Sequence, residues 1–344
     1  MATLSTVYPT LVDVARIMDP NGSVGTVAEI LQQYNDILDD IPWMEGNLPT
    51  GHQSNYRTSK PTPTLRLLNG GVVPTKSTTG QIVDACAILE NRNHIDVDVA
   101  SLNGNTAAFR LSQDKPMIQG FMDELSRIMI YGDSSVEPKE FNGLATRFYT
   151  LNTAVSSYTQ LIDGQGTGTD NTSIWLVCWG PGKVYGIYPK GSKAGLVHED
   201  RGIQDILENT STGAYMRAYV SWMQWKAGIV VEDYRHVVRI CNIDISNLET
   251  AGDSTDNSAN ITKYMSMALD LLPPGGDYRP VFYMNRRASS MLRVKLENKT
   301  NAALSVENVV GPGGFGRRQF SYYGVPIRRI DSLTVAESRI TTSS

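Results

Sequence analysis

Cysteine and histidine are scarce in this 344-residue chain. Its three cysteines, Cys86, Cys178 and Cys241, are widely spaced and form neither a CxxC pair nor a disulfide framework, which suits a reducing compartment. The four histidines are scattered, with no HExxH motif and no cysteine nearby. The sequence therefore predicts neither a metal site nor a disulfide-stapled fold.

Basic charge is also limited. Lys plus Arg is 31 and Asp plus Glu is 35, which gives a net charge of −4 and argues against a chain that condenses nucleic acid by itself. Charged residues make up 19%, below the roughly 25% of ordinary soluble domains, a deficit typical of surfaces that partners cover. The apolar run at 174–179 is far too short for a membrane span, and residues 1–9 lack the features of a signal peptide. We expect a soluble cytoplasmic chain without membrane partners.

Catalytic signatures are missing as well. No serine lies in a GxSxG elbow, and Gly164, Gly166 and Gly168 lead into a predicted strand rather than a helix, which predicts a mobile loop. Asp96 and Asp98 share a strand face and are interpreted as solvated positions rather than a cation site. We predict no catalytic residue, metal or cofactor. A carboxylate-based hydrolase stays an alternative, because carboxylate pairs can meet only in three dimensions.

Helices follow from apolar residues at three- and four-residue steps. The first predicted helix extends from about 24 to 41 and stops at Pro42, and the second extends from Asp114 to Tyr131 with Pro116 in its first turn. Two more are predicted at Ile261–Leu272 and from the cap Asn285 to about 298.

Strands follow from β-branched and aromatic runs and from period-two alternation. They are predicted at 81–90, 94–99, 174–179, 184–188 (a hairpin with the preceding strand), 215–231, 234–245, 281–284 and 322–330. Helices and strands without regular βαβ alternation indicate the α+β class.

The stretch from Trp43 to about Ala100 has little core-forming periodicity. Such a long segment is uncommon inside a compact domain. Folded as a hairpin, it has arms of roughly 15–20 residues, and a two-stranded ribbon of that kind is marginal alone in water. The prediction is a ribbon that lies on a neighbouring subunit, and a disordered surface loop is the alternative.

Several longer runs of sequence carry a family resemblance. They are Ile41–His52 (IPWMEGNLPTGH), Leu102–Thr106 (LNGNT), Asp170–Trp175 (DNTSIW), Trp179–Gly182 (WGPG) and Ile187–Leu196 (IYPKGSKAGL). In this order, with a long helix ending in Tyr-Gly-Asp133, the chain resembles the major capsid proteins of tailed double-stranded DNA bacteriophages, which have the Hong Kong 97-type fold. More narrowly, it resembles those of epsilon-fifteen-like short-tailed phages, and the resemblance covers almost the whole chain.

The resemblance implies four parts of the chain. These are an N-terminal arm at 1–42, an extended loop at 43–100, a peripheral domain with a long spine helix at 101–150 and 213–247, and an axial domain at 151–212 and 248–344. In the usual family order the long peripheral strands follow the Gly-x-Pro strand, whereas here the strand pair expected within 215–245 precedes Gly324. A permuted strand order is our hypothesis for this departure.

The resemblance also implies function and partners. The chain is expected to assemble with itself into pentamers and hexamers of an icosahedral virion shell, formed in the host cytoplasm around double-stranded DNA without sequence-specific contacts. Scaffold, portal and cementing proteins are the further implied partners. Subunit-interface candidates in the ribbon are Trp43, Arg57, Lys60, Arg66, Leu67 and Leu68, and predicted bending points are Gly46, Gly51, Gly70 and Gly71. An encapsulin-like compartment or another structural virion protein is the alternative within the shell class.

Overall fold

The predicted α+β class is confirmed by a computed structural model that describes residues 8–9, 35–102, 106–209, 213–251, 260–297, 304–310 and 316–342. The helices are α1 (Ile37–Asp40), α2 (Val97–Ser101), α3 (Thr106–Tyr131), α4 (Leu144–Arg147), α5 (Ile245–Ala251), α6 (Ile261–Asp270) and α7 (Arg286–Glu297). Of the helix predicted at 24–41, positions 24–34 lie outside the described residues. No helix in the described ranges is long and apolar enough to cross a bilayer.

The strands have the following residue ranges. They are β1 (Trp43–Glu45), β2 (Gly51–Ser59), β3 (Thr78–Ala85), β4 (Ala87–Asp96), β5 (Leu161–Asp163), β6 (Asn171–Trp179), β7 (Val184–Tyr188), β8 (Leu196–Asn209), β9 (Ala214–Val231), β10 (Val237–Asp244), β11 (Arg279–Met284), β12 (Leu304–Val310), β13 (Gly316–Tyr322) and β14 (Val325–Arg329). By its internal contacts the chain divides into a first unit (1–33, 88–125 and 193–226) and a second unit (34–87, 126–192 and 227–344).

The second unit is built on a mixed sheet whose middle strand is β6. Every residue of β6 is buried, and the strand lies antiparallel to both β10 and β11. β11 continues the sheet through β14, β13 and β12, while β7 pairs with β1 and with the end of β9. A run such as Ile174–Trp179, apolar at every position, can be buried on both faces, which explains its central place.

Helices α6 and α7 pack on this sheet and confirm two sequence predictions. The buried side chains of Tyr264 and Met265 in α6 and Leu292 in α7 join the same apolar core as Ile174. Asn285 caps α7, since its side-chain oxygen accepts the Arg287 N–H at 2.9 Å. The helix predicted at 261–272 is two residues shorter at its end, before Pro273.

Within the second unit, a buried polar network holds the C-terminal segment in place. Arg239 and Glu337 are 4% and 9% exposed, and their charged groups lie 2.9 Å apart. The Arg239 guanidinium also donates to the Phe148 carbonyl, and Glu337 accepts the hydroxyls of Tyr131 and Ser173. Burial, with the nearby Glu337 carboxylate, raises the pKa of the Tyr131 phenol. This segment is therefore held by charge as well as by packing.

The first unit combines part of α3 with the β8–β9 pair. Helix α3 begins at Thr106, eight residues before the predicted start, so the expectation that Pro116 lies in the first turn is wrong. Phe109 is 1% exposed and packs with Ile95 and Ala100, and this tertiary contact accompanies the extra turns.

The partner predicted for the long strand at 215–231 is also wrong. β9 pairs with β8, from Leu196 opposite Trp225 to Asn209 opposite Ala214, whereas β10 pairs with β5 and β6 in the second unit. β8 could not be predicted from the sequence, because the charged run Glu199-Asp200-Arg201 interrupts its apolar alternation. The permuted strand order stays a prediction.

Three smaller expectations are corrected by local backbone contacts. The strand predicted at 94–99 ends at Asp96, whose carboxylate accepts the Asp98 N–H and caps α2. The strand predicted at 322–330 is two strands joined at Tyr323-Gly324, where both φ values are positive. β7 forms no hairpin with β6, since the two share one parallel bridge.

The glycine loop is fixed by close backbone contacts, which corrects the predicted mobile loop. Gly164 and Gly166 donate to the carbonyls of Cys241 and Asn242 at 2.8 Å. A Cβ atom on either glycine would lie within 3 Å of those oxygens, so only glycine permits this approach.

Candidate functional site

Strands β2 and β3 form an isolated antiparallel hairpin, joined by a segment, residues 60–77, that we call the hairpin tip. The paired arms are nine and eight residues long, shorter than the predicted 15–20. Pro61, Pro63 and Pro74 account for the difference, because proline cannot donate to a strand ladder. The tip has no strand or helix of its own.

The hairpin tip exposes large apolar side chains. Leu65 is 105% exposed, Leu67 85% and Leu68 94%, and Val72 and Val73 are also exposed. Exposed apolar residues occur singly on most proteins, whereas five within nine residues mark an interaction surface. The tip therefore carries an apolar surface that its own subunit leaves in water.

Apart from the buried Asp84 of β3, the charged residues of this hairpin have a single sign. Arg57, Lys60, Arg66 and Lys76 are its charged residues from Gly46 to Val83, and no aspartate or glutamate occurs in that range. Arg57, Lys60 and Arg66 are exposed and make no ion pair with any residue that the structure describes. A surface that complements the tip would be both acidic and apolar.

The root of the hairpin is anchored in the second unit. The Arg147 guanidinium donates to the buried Asp84 carboxylate of β3 at 2.8 Å and to the Ile229 carbonyl at 3.3 Å. Tyr185 donates to Glu232 at 2.6 Å and packs edge-on against His52 of β2. These contacts hold the hairpin at its root, and among the described residues no such contact holds the tip.

Trp43 lies in β1 rather than in the hairpin. It is half-buried, and a Cβ atom on the opposite Gly186 would come within 3 Å of its indole ring. Just before it, Asp40 accepts the Tyr283 hydroxyl at 2.9 Å, and burial raises the pKa of this carboxyl despite the nearby Arg328 guanidinium. An interface role for Trp43 stays a prediction.

Of the four predicted bending points, two lie at close backbone contacts and two lie in the hairpin tip. At Gly46 and Gly51 a Cβ atom would overlap the carbonyl oxygens of Gly51 and Asp84, so both glycines allow close backbone approach. Gly70 donates to the Leu67 carbonyl in a turn, and Gly71 has open space around it. Bending at these four positions stays a prediction, and the geometry favours Gly71.

The comparisons with known proteins identify the family. The family described as "Major capsid protein GP7" matches residues 19–341. No curated protein matches the chain. Among solved structures, that of bacteriophage epsilon15 is 29% identical, covers 100% of both chains and superposes with a TM-score of 0.80. The capsid of bacteriophage JBD30 is 10% identical, covers 91% of this chain and 93% of its own, and has a TM-score of 0.46.

The family match extends over almost the whole chain, and the epsilon15 structure matches it from end to end. The resemblance read from the sequence motifs is therefore confirmed, together with the Hong Kong 97-type fold. The chain belongs to the major capsid protein GP7 family and is a phage major capsid protein.

Proposed function

We propose that this capsid protein assembles into pentamers and hexamers of an icosahedral shell around double-stranded DNA, and that the hairpin tip is the contact between neighbouring copies. The observation that carries the proposal is the exposure of Leu65, Leu67 and Leu68 on a segment with no core of its own. Burying one leucine contributes about 1.5–3 kcal/mol, so three on each subunit drive association strongly.

Repetition multiplies this contact. The hairpin tip of one copy and the surface of the next copy that receives it are different surfaces, so each contact is heterologous. A ring of such contacts closes into a pentamer or hexamer. Interfaces of the standard size, about 1,200–2,000 Å², suffice when every copy touches several neighbours. Arg57 of β2 and the tip residues Lys60 and Arg66 would pair with acidic side chains of the next copy, where partial burial makes such pairs stronger than exposed ones.

The anchored root and unanchored tip also explain how one sequence can occupy unequal positions. Arg147 and Asp84 keep the direction of the hairpin root constant, while residues 60–77 adjust to each neighbour. The four-part division at 1–42, 43–100, 101–150 with 213–247, and the remainder stays part of this proposal. So do assembly in the host cytoplasm, a purely structural role without catalysis, and scaffold, portal and cementing partners.

Cryo-electron microscopy of particles formed by the purified protein tests the proposal. We expect closed shells of pentamers and hexamers, with density for residues 60–77 on an adjacent subunit. Density that places the tip against its own subunit would contradict the contact. Particles that hold protein cargo and no DNA would favour the encapsulin-like alternative.

A further inference from the structure

Basic residues are concentrated near the C-terminal end of this acidic chain. Residues 286–329 contain nine lysines and arginines and two glutamates, although the whole chain carries a net charge of −4. A local excess of this size in a chain of opposite net charge is the electrostatic footprint of a polyanion-binding face.

Helix α7 presents part of this excess to solvent. Arg286 and Arg293 are exposed and seven residues apart, so they lie on one face of the helix about 10 Å from each other along its axis. Ser290, also exposed, lies between them on that face, and its hydroxyl donates to the Arg286 carbonyl at 2.9 Å. In the described part of the chain neither arginine has an ion-pair partner, whereas Arg287 pairs with Glu249 at 2.8 Å.

Arg293 is held in position by an aromatic ring. Its guanidinium lies over the Phe320 ring of β13, 4.7 Å from the centroid. Stacking uses the flat face of the guanidinium and leaves its edge N–H groups available. Two other arginines of the basic segment, Arg328 and Arg329, are already paired with Asp40 and Asp331. Among the described side chains of the basic segment, the arginines without an ion-pair partner are therefore Arg286 and Arg293 of α7.

We propose that the Arg286–Ser290–Arg293 face of α7 contacts the phosphate backbone of the enclosed double-stranded DNA, an inference that rests on the proposed shell function. Guanidinium groups are permanently charged and donate two N–H groups to one phosphate. Val294, which is 49% exposed, adjoins this face, so the choice of DNA over a protein partner rests on the two unpaired arginines. Contacts of this kind carry no sequence preference.

The test measures how binding of a 30-base-pair duplex to unassembled wild-type subunits depends on salt. Each phosphate contact contributes about 0.9 to the slope of log K against log salt concentration. R286Q/R293Q should therefore reduce the slope by about 2, and R286K/R293K, which keeps the charge, should retain most of it. K190Q/K193Q removes the same charge at two exposed lysines outside the proposed contacts and should leave the slope unchanged.

An unchanged slope in R286Q/R293Q, or an equal reduction in K190Q/K193Q, would overturn the proposal. Poly-glutamate that binds wild type as tightly as DNA and loses affinity equally in R286Q/R293Q would assign the face to an acidic protein segment instead. If the double variant fails to fold, the single variant R286Q replaces it in the test, because this change disturbs no stacking contact. R286Q should reduce the slope by about 1. Shell formation is scored separately by electron microscopy, so failure of wild type to form shells would count against the proposed function rather than this face.

Discussion

Replacing Leu65, Leu67 and Leu68 together by serine should abolish shell formation while the subunit stays folded. These side chains are almost fully exposed, so their loss removes little from the folded subunit and much from a contact with a neighbour. At about 1.5–3 kcal/mol for each leucine, the loss at one contact exceeds what a repeated interface of moderate strength can tolerate. Sedimentation velocity should show small species in place of particles, and the melting temperature of the subunit should stay close to that of wild type.

Val136→Ser is the matched control for the leucine variant. Val136 is 80% exposed in a surface turn and is absent from the proposed contact. Shells should form from this variant at the wild-type yield. Particles of normal size and yield from the triple serine variant would refute the role of the tip, and so would a control that fails equally.

Replacing Glu337 by glutamine should destabilise the subunit strongly. The change keeps the size of the side chain but leaves the Arg239 guanidinium buried without a counter-charge, 4% exposed beneath the C-terminal segment. Removing one partner of a buried ion pair costs about 3–5 kcal/mol, a large share of the stability of a typical domain. Urea denaturation should show a lower midpoint, and limited proteolysis should cleave the C-terminal segment earlier.

Two further variants separate the buried pair from ordinary surface charge. R239M/E337M removes both charges and should lose less stability than the sum of the single changes, because no unpaired charge remains buried. Arg235→Gln breaks the exposed pair with Asp233 and should cost at most about 1 kcal/mol. If Glu337→Gln and Arg235→Gln were equally mild, the network would not hold the C-terminal segment.

Elements with a strong local signal could be predicted from the sequence. Helices α6 and α7 and strands β6 and β11 follow from apolar spacing, from the Asn285 cap and from an unbroken buried run. The elements that could not be predicted depend on contacts with residues distant in the sequence. The charged run in β8 interrupts its strand pattern, and the strand is recognised only from its pairing with β9. The early start of α3 accompanies the packing of Phe109.

The candidate site shows the same division. The lack of periodicity predicts a ribbon, and the structure describes a hairpin with an exposed apolar tip there. The close approach at Gly46 and Gly51 arises from backbone contacts that composition cannot show. The shorter arms follow from prolines that the sequence does contain. The pairing of Arg239 with Glu337, 98 residues apart, was not predicted because neither residue has a local motif.

Hydrogen–deuterium exchange of residues 60–77, compared between isolated subunits and purified shells, tests the central claim most directly. The hairpin tip has no strand or helix in the subunit, so its amides should exchange rapidly there. In shells they should become strongly protected, while the hairpin root near Asp84 changes little. Equally rapid exchange of the tip in subunits and in shells would contradict the claim that neighbouring copies bury it.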